Sequence, residues 1–414
     1  MTLHVVPRRG SSSGAEPATP AGDRPLTRGM AFMFAVASGL AVANVYYAHP
    51  LLDVIAADFG ITHAAIGLVV TATQIGYGLG LLLLVPLGDL LDRRRLIVGQ
   101  FLFLVLALLM IATARSGAIL FAAMAVTGLL AVVAQTLVAY AAGLAREGQR
   151  GAVVGTVTSG IVVGILLARA VSGTLADIFG WRSVYVASAV ASFAMAVLLA
   201  KNLPRNGTAG ASVPYLRLIA SVPAIFRQEP LLMVRGVLAL LIFASITILW
   251  TPMVLPLAAA PFSLSHTEIG LFGLAGATGA IGAAGAGRLA DAGKAQSVTG
   301  AALAIMLLSW AAIALLPVSL WGLIIGVVMI DYGLQAVHVT NQSMIYRVRP
   351  EARSRIAAGY MIFYSVGCAA GSILATLVYA RAGWPGVCLL GSMTSAAALA
   401  FWASTRHIAA SDGV

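Results

Sequence analysis

Charge is what this chain has least of. Asp, Glu, Lys and Arg make up 9% of its 414 residues, against about 25% in a water-soluble domain. That scarcity argues against a soluble globular protein. Acidic side chains are the rarer kind, 14 against 25 basic ones, for a net charge of +11. Cysteine is almost absent: Cys368 and Cys388 both stand in apolar runs and read as small packing residues, not as a disulfide or a metal site. The catalytic signatures His-Glu-x-x-His, Gly-x-Ser-x-Gly and Gly-x-x-x-x-Gly-Lys-[Ser/Thr] are all missing. Their absence argues against a zinc peptidase, a serine hydrolase and an ATP-driven pump. Neither an enzyme nor a cofactor is expected. Residues 1–29 are polar and lack the apolar core of a secretory signal, so they read as a disordered tail.

What the chain does have is long apolar runs: 60% of it is hydrophobic. Runs of about 20 residues can each cross a bilayer, and twelve such runs are present. In the first half they are Met30 to Ala48, Ala64 to Leu87, Leu96 to Thr113, Gly117 to Leu144, Ala152 to Ala176 and Ser183 to Ala200. In the second half they are Leu231 to Pro256, Glu268 to Ala286, Val298 to Leu316, Leu320 to Ile345, Ile356 to Tyr379 and Trp384 to Ser404. The 44 glycines suit close helix approach within a bilayer. The basic residues gather in the tail, in alternate turns, in the central segment and at the start of the seventh run, where Arg235 stands. This pattern predicts cytoplasmic termini at both ends and argues against a nucleic-acid partner for the positive charge. The expected organisation is a tail over 1–28, six helices over 29–200, a cytoplasmic linker over 201–229, six helices over 230–405 and a tail over 406–414. A short amphipathic helix is expected near Tyr215 to Arg227 in the linker.

The two halves echo each other. Gly160 and Gly164 recur as Gly367 and Gly371 at an offset of 207. Phe179-Gly180-Trp181 recurs as Ala382-Gly383-Trp384 at an offset of 203, and the charged turn at Gly88 recurs at Gly287 at an offset of 199. Ordered matches at nearly constant spacing indicate an internal repeat, as in secondary transporters.

The charged turn reads Gly88-Asp89-Leu90-Leu91-Asp92-Arg93-Arg94-Arg95, between the second and third runs. Gly88, Leu90, Asp92 and Arg93 match the signature Gly-x-Leu-x-Asp-Arg-x-Gly-Arg-Arg, and with twelve runs the chain resembles the major facilitator superfamily, in its bacterial drug and metabolite efflux branch. The weaker copy keeps Gly287, Leu289 and Asp291 but has Ala292 in place of the arginine. The fifth run carries glycines without the proline of that branch's antiporter motif. The resemblance implies an all-α fold of two pseudo-symmetric six-helix bundles in the bacterial inner membrane. It also implies alternating access, proton-coupled efflux of a small organic molecule and, for Gly88, Asp92, Arg93 and Asp291, a cytoplasmic gate. The reading left open beside it for Asp92 and Arg93 is plain topology, arginines holding the loop inside. A monomer is expected, with the substrate, protons and the lipid bilayer as its partners.

Within the runs, Arg169 and Asp331 are charges where charge is costly. Asp331, Gln335, His338 and Gln342 fall on one face of the tenth run. Asp331 is the candidate proton carrier and His338 a second one. The alternatives are a capped structural carboxylate and a hydrogen-bonded packing histidine. Arg169 is the candidate substrate contact, against a structural arginine bonded to carbonyls. Asn44, Tyr47, Gln74, Gln135, Trp250, Gln335 and Gln342 are the further cavity candidates, against an anchoring role for the aromatic ones at the membrane boundary. The alternative functions are a proton-coupled importer or uniporter and, from other classes, a membrane-embedded enzyme, a receptor or a channel.

Overall fold

The computed structural model describes residues 27–145, 149–204, 214–349 and 352–408, and among them every regular element is helical. The six crossings of the first half are Arg28–Tyr46, Leu68–Leu83, Arg93–Ala112, Gly117–Ala131 continued by Val133–Leu144, Arg150–Phe179 and Trp181–Asn202. The second half begins with Pro230–Trp250, His266–Ala275 continued by Ala277–Leu289, Ala295–Ile313 and Leu320–Val348. Its last element, Arg353–Thr405, is two crossings joined at Gly383. Ten of these helical stretches are long and apolar enough to span a membrane by length and composition, the last one counting once for its two crossings. The eighth crossing differs from the continuous helix expected, because its helix breaks at Gly276.

Helix starts follow local chemistry. Thr27 caps the first crossing by accepting from the Met30 amide at 3.2 Å, and Asp92 caps the third by accepting from Arg95 at 2.9 Å. Ser265 and Glu268 form a reciprocal capping box on the eighth. The echoed Gly-Trp pairs have a backbone reason. Gly180 at φ 80° and Gly383 at φ 59° make the reversals between fifth and sixth and between eleventh and twelfth crossings, in a region that disfavours side chains. Trp181 and Trp384 then bury the next helix start.

The repeat extends to the packing. First packs on fifth as seventh packs on eleventh, second on fourth as eighth on tenth, and third on sixth as ninth on twelfth. Gly160 and Gly164 meet the backbone of Ala35 and Gly39, and Gly367 and Gly371 meet that of Leu240 and Ala244. Neither site has room for a methyl group. Large apolar side chains such as Phe103, Val190, Leu389 and Met393 stand exposed on the outside of the helices, the reverse of a soluble protein and suited to lipid.

Between bundles, the second crossing packs on the eleventh and the fifth on the eighth. Thr71 donates to the Ala369 carbonyl at 3.0 Å, Ser372 to that of Gly67 at 2.9 Å and Thr376 to that of Ala64 at 3.1 Å. These bonds lie toward the end of the molecule remote from Thr27 and Ile408, called the distal end below. The amphipathic helix Tyr215–Gln228 lies in the linker, as expected, and its Tyr215 hydroxyl donates to the Leu83 carbonyl at 2.6 Å. The tails, Arg146 and the linker's 205–213 lie outside the described residues.

Candidate functional site

The site forms where the fifth crossing meets the seventh, eighth and tenth. Arg169 is 7% exposed, and its guanidinium carbon sits 3.8 Å from the centre of the Trp250 ring and 5.3 Å from that of Tyr46. A desolvated cation over an aromatic face gains about 2 kcal/mol. Its Nε nevertheless has no acceptor among the described residues. The stem lies against the eighth crossing, where a Cβ on Gly273 would be 3.1 Å from the Arg169 Cβ.

One turn further along, the helix break at Gly276 seats Asp331. A Cβ on Gly276 would be 3.4 Å from Asp331 Oδ2 and 3.1 Å from Leu166 Cδ2, so a side chain here would crowd Leu166 and touch the carboxylate. Asp331 is buried and its Oδ2 has no hydrogen-bond partner. Arg169 and Asp331 feel each other electrostatically but are not among the ion pairs within 4.0 Å of the described residues. Two opposite charges thus lie along one stretch of the eighth crossing, Gly273 to Gly276, each with unused hydrogen-bonding capacity. An unsatisfied buried charge is costly.

Other candidates divide. Trp250 belongs to this centre. Tyr46 joins it by bonding across the bundles to the Tyr364 hydroxyl at 2.7 Å. Gln135 reaches the same belt, donating to the Tyr77 hydroxyl at 3.4 Å, with Tyr77 edge-on to Tyr364. Gln335 packs on Gly279 of the eighth crossing. His338 bonds through Nδ1 to the Tyr360 hydroxyl at 3.0 Å and meets Phe243 edge-on. Gln342 is half-buried, and Gln74 is buried with Oε1 unpartnered.

Asn44 and Tyr47 face elsewhere. Asn44 accepts from Ser188 of the sixth crossing at 2.7 Å, inside the first bundle. Tyr47 lines an apolar groove of about 680 Å³ between the first and fifth crossings, beside exposed Val36 and Val163. The reason is angular: Tyr46 takes the inward direction, and its neighbour points about 100° away.

In the charged turn, Asp92 is a helix cap, and Arg93 donates to the Gly88 carbonyl at 2.9 Å. The Asp291 side chain lies outside the described residues. A polar clasp between bundles stands at the distal end. His266, the first residue of the helix that opens the eighth crossing, has Nε2 3.1 Å from both oxygens of Asp53 and Nδ1 2.9 Å from Asp177 Oδ1. Asp177 also accepts from the Thr267 amide at 2.7 Å, capping that helix from the other bundle. A neutral imidazole carries one N–H, so two carboxylates require the imidazolium. They raise the His266 pKa to about 9 against the cost of burial.

Arg235 corrects a further expectation. Counted with the cytoplasmic basic residues, it is in fact fully buried inside the second bundle. Its Nη1 donates to Asn341 Oδ1 at 3.1 Å, and Asn341 donates to the Tyr360 hydroxyl that holds His338. Charge counting treats an arginine near the end of an apolar run as a loop residue, and the polar partners come from distant crossings.

Comparison with known proteins settles the family. The Major Facilitator Superfamily profile matches residues 34–334. This chain belongs to that superfamily. The uncharacterized transporter YgaY of Escherichia coli O157:H7 is 46% identical over 377 residues, covering 91% of this chain and 95% of that one. The "Probable transporter SCO4007" of Streptomyces coelicolor is 30% identical over 359 residues, covering 86% of this chain and 83% of its own. A bacterial homolog of the human lysosomal transporter Spinster, solved inward-facing and unoccupied, has the same fold at 14% identity, with a TM-score of 0.72, covering 94% of this chain and 97% of its own. The chain is therefore a multi-pass membrane transporter of the major facilitator fold and not an enzyme.

Proposed function

We propose that this transporter exports a small organic molecule in exchange for a proton, with Asp331 as the proton site and Arg169 as the substrate contact. The observation that carries this reading is the pair of buried opposite charges at the junction of the bundles, each with an atom lacking a partner among the described residues. A carboxylate that can be neutralised by a proton or satisfied by a ligand couples the two bindings. The clasp at the distal end fits one limit of alternating access, with the bundles held together there. The direction rests on the resemblance of the chain to the efflux branch, since importers and exporters share the charged turn. Gly88, Asp92, Arg93 and Asp291 are assigned to the gate at the opposite end, which in this reading is cytoplasmic. His338, tied to Tyr360, is the second proton site. The bundles 29–200 and 230–405 are the moving units of a monomer in the bacterial inner membrane, with both termini in the cytoplasm.

The test is transport in proteoliposomes containing a pH-sensitive dye, screened with neutral, anionic and cationic compounds. Substrate-driven proton movement in the opposite direction is expected, and its loss in Asp331→Asn. Substrate flux with no proton signal in either protein would overturn the coupling and leave a uniporter.

A further inference from the structure

From the same centre we infer the substrate class: a small zwitterion, carrying a carboxylate and a protonated amine on neighbouring atoms and an uncharged side chain, as in an amino acid. The inference rests on the transport reading and narrows it.

The argument starts from what each charge lacks. Arg169 Nε needs an acceptor and Asp331 Oδ2 needs a donor, and both groups are nine-tenths buried or more. They flank the same stretch of the eighth crossing, Gly273 to Gly276, at less than one helical turn. They are not among the direct ion pairs of the described residues, so one small bipolar group entering between them would reach both. A carboxylate matches the fork of the guanidinium, and an ammonium supplies donors to Asp331. A singly charged ligand would satisfy one end and leave the other charge buried alone, the costlier arrangement. A neutral polyol would meet two full charges with dipoles only. A zwitterion satisfies both and leaves the net charge of the site unchanged.

The rest of the wall sets the side chain. The space beside Arg169 is bounded by Trp250, Met253, Val254 and Ile269, with His49 turned to the Tyr46 carbonyl. Among the described residues lining it, Arg169 is the one carrying a permanent charge. As it stands the cavity holds about 10 Å³, enough for about one water. The ligand therefore enters when the bundles part, as alternating access requires.

The class also explains exchange. When Asp331 carries a proton, its carboxyl is neutral and the ammonium has no counter-charge. Ammonium binding needs the carboxylate, so the proton leaves Asp331 to water while the amine keeps its own. Proton and zwitterion then exclude each other on one oxygen pair. A purely anionic substrate would instead bind best with Asp331 protonated, and the two would travel together.

The experiment uses the full-length protein in detergent, in weakly buffered solution with a pH indicator, and in proteoliposomes. The probes are L-leucine, L-phenylalanine, L-methionine and L-threonine, each with its N-acetyl derivative and its primary amide. At least one free amino acid should stabilise the protein against heat, release up to one proton per molecule and be transported. Its N-acetyl and amide forms should bind about 10- to 100-fold more weakly, the loss expected for one charged hydrogen-bonded end. Arg169→Lys should weaken the zwitterion more than the amide, and Asp331→Asn should remove the proton release. Melting in detergent confirms that both variants fold. Equal binding of an N-acetyl or amide form would overturn the class, as would binding of none of the four amino acids. Transport of some other compound from the wider screen would then preserve the transport reading, and transport of nothing would count against both.

Discussion

Replacing His266 by glutamine should release the distal clasp. In the clasped state the His266 pKa stands near 9 instead of 6.5, and at about 1.4 kcal/mol per tenfold that difference is worth roughly 3 kcal/mol. The side chain is 17% exposed and its partners Asp53 and Asp177 are 22% and 25% exposed, so water screening reduces this to about 1–2 kcal/mol. The equilibrium between distal-closed and distal-open forms should therefore shift about 5- to 30-fold. The sign with pH follows from the raised value. Protonated His266 stabilises closure, so the clasp is at full strength below pH 6.5 and is lost as pH rises through about 9. The facing groups are Asp53 on the short helix Leu52–Phe59 and Asp177 at the end of the fifth crossing. Glu268, on the histidine's own helix, is engaged with Ser265. The assay is double electron–electron resonance between spin labels at Arg115→Cys and Val318→Cys, on exposed distal turns of opposite bundles. Buried Cys368 and Cys388 are replaced by alanine in that background. Wild type should pass from short to long distances between pH 6.5 and 9.5, while His266→Gln should be pH-insensitive and longer throughout. Identical distance distributions in both proteins across that range would refute the argument.

Two further outcomes test the packing. Gly160→Leu puts a side chain against the Ala35 backbone and should cost about 1–3 kcal/mol as overpacking, read as a lower melting temperature in detergent. Asn341→Leu removes the nearer of the two side-chain acceptors of buried Arg235, leaving Thr299 Oγ1 at 3.4 Å, and should destabilise more than Arg235→Met, by about 2 kcal/mol, because it leaves a desolvated charge under-bonded. The double variant should recover much of the difference, and equal melting of all three would show that Arg235 does not depend on Asn341.

Much of the fold was legible because its signals are local. Length and hydropathy mark a crossing residue by residue, and the recurring Gly-Trp pairs mark reversals that need positive φ. The break at Gly276 was not legible, because a glycine among glycines and alanines carries no mark of where a neighbouring carboxylate will press. At the site, Arg169, Asp331 and Trp250 stood out as costly or bulky groups in apolar runs, and the structure brings them to one junction. Asn44 and Tyr47 had the same chemical credentials but point into the first bundle and toward the groove. His266 drew no attention, since a histidine at a helix start acquires meaning only from Asp53 and Asp177, 213 and 89 residues away.

The sequence by itself determined that this protein crosses a membrane repeatedly, in two related halves, and that it belongs with the facilitator transporters. Each of those properties is written in composition, run length and short motifs, which act within a few turns of chain. Only the tertiary structure decided which polar groups meet. It set Arg169 on Trp250 beside an unpaired Asp331, buried Arg235 away from the loops, and joined the bundles through one histidine and two aspartates. The physical reason is that helix direction and rotation about the axis, set by packing against other crossings, decide what a side chain faces, and in a low-dielectric interior what it faces decides what it can do.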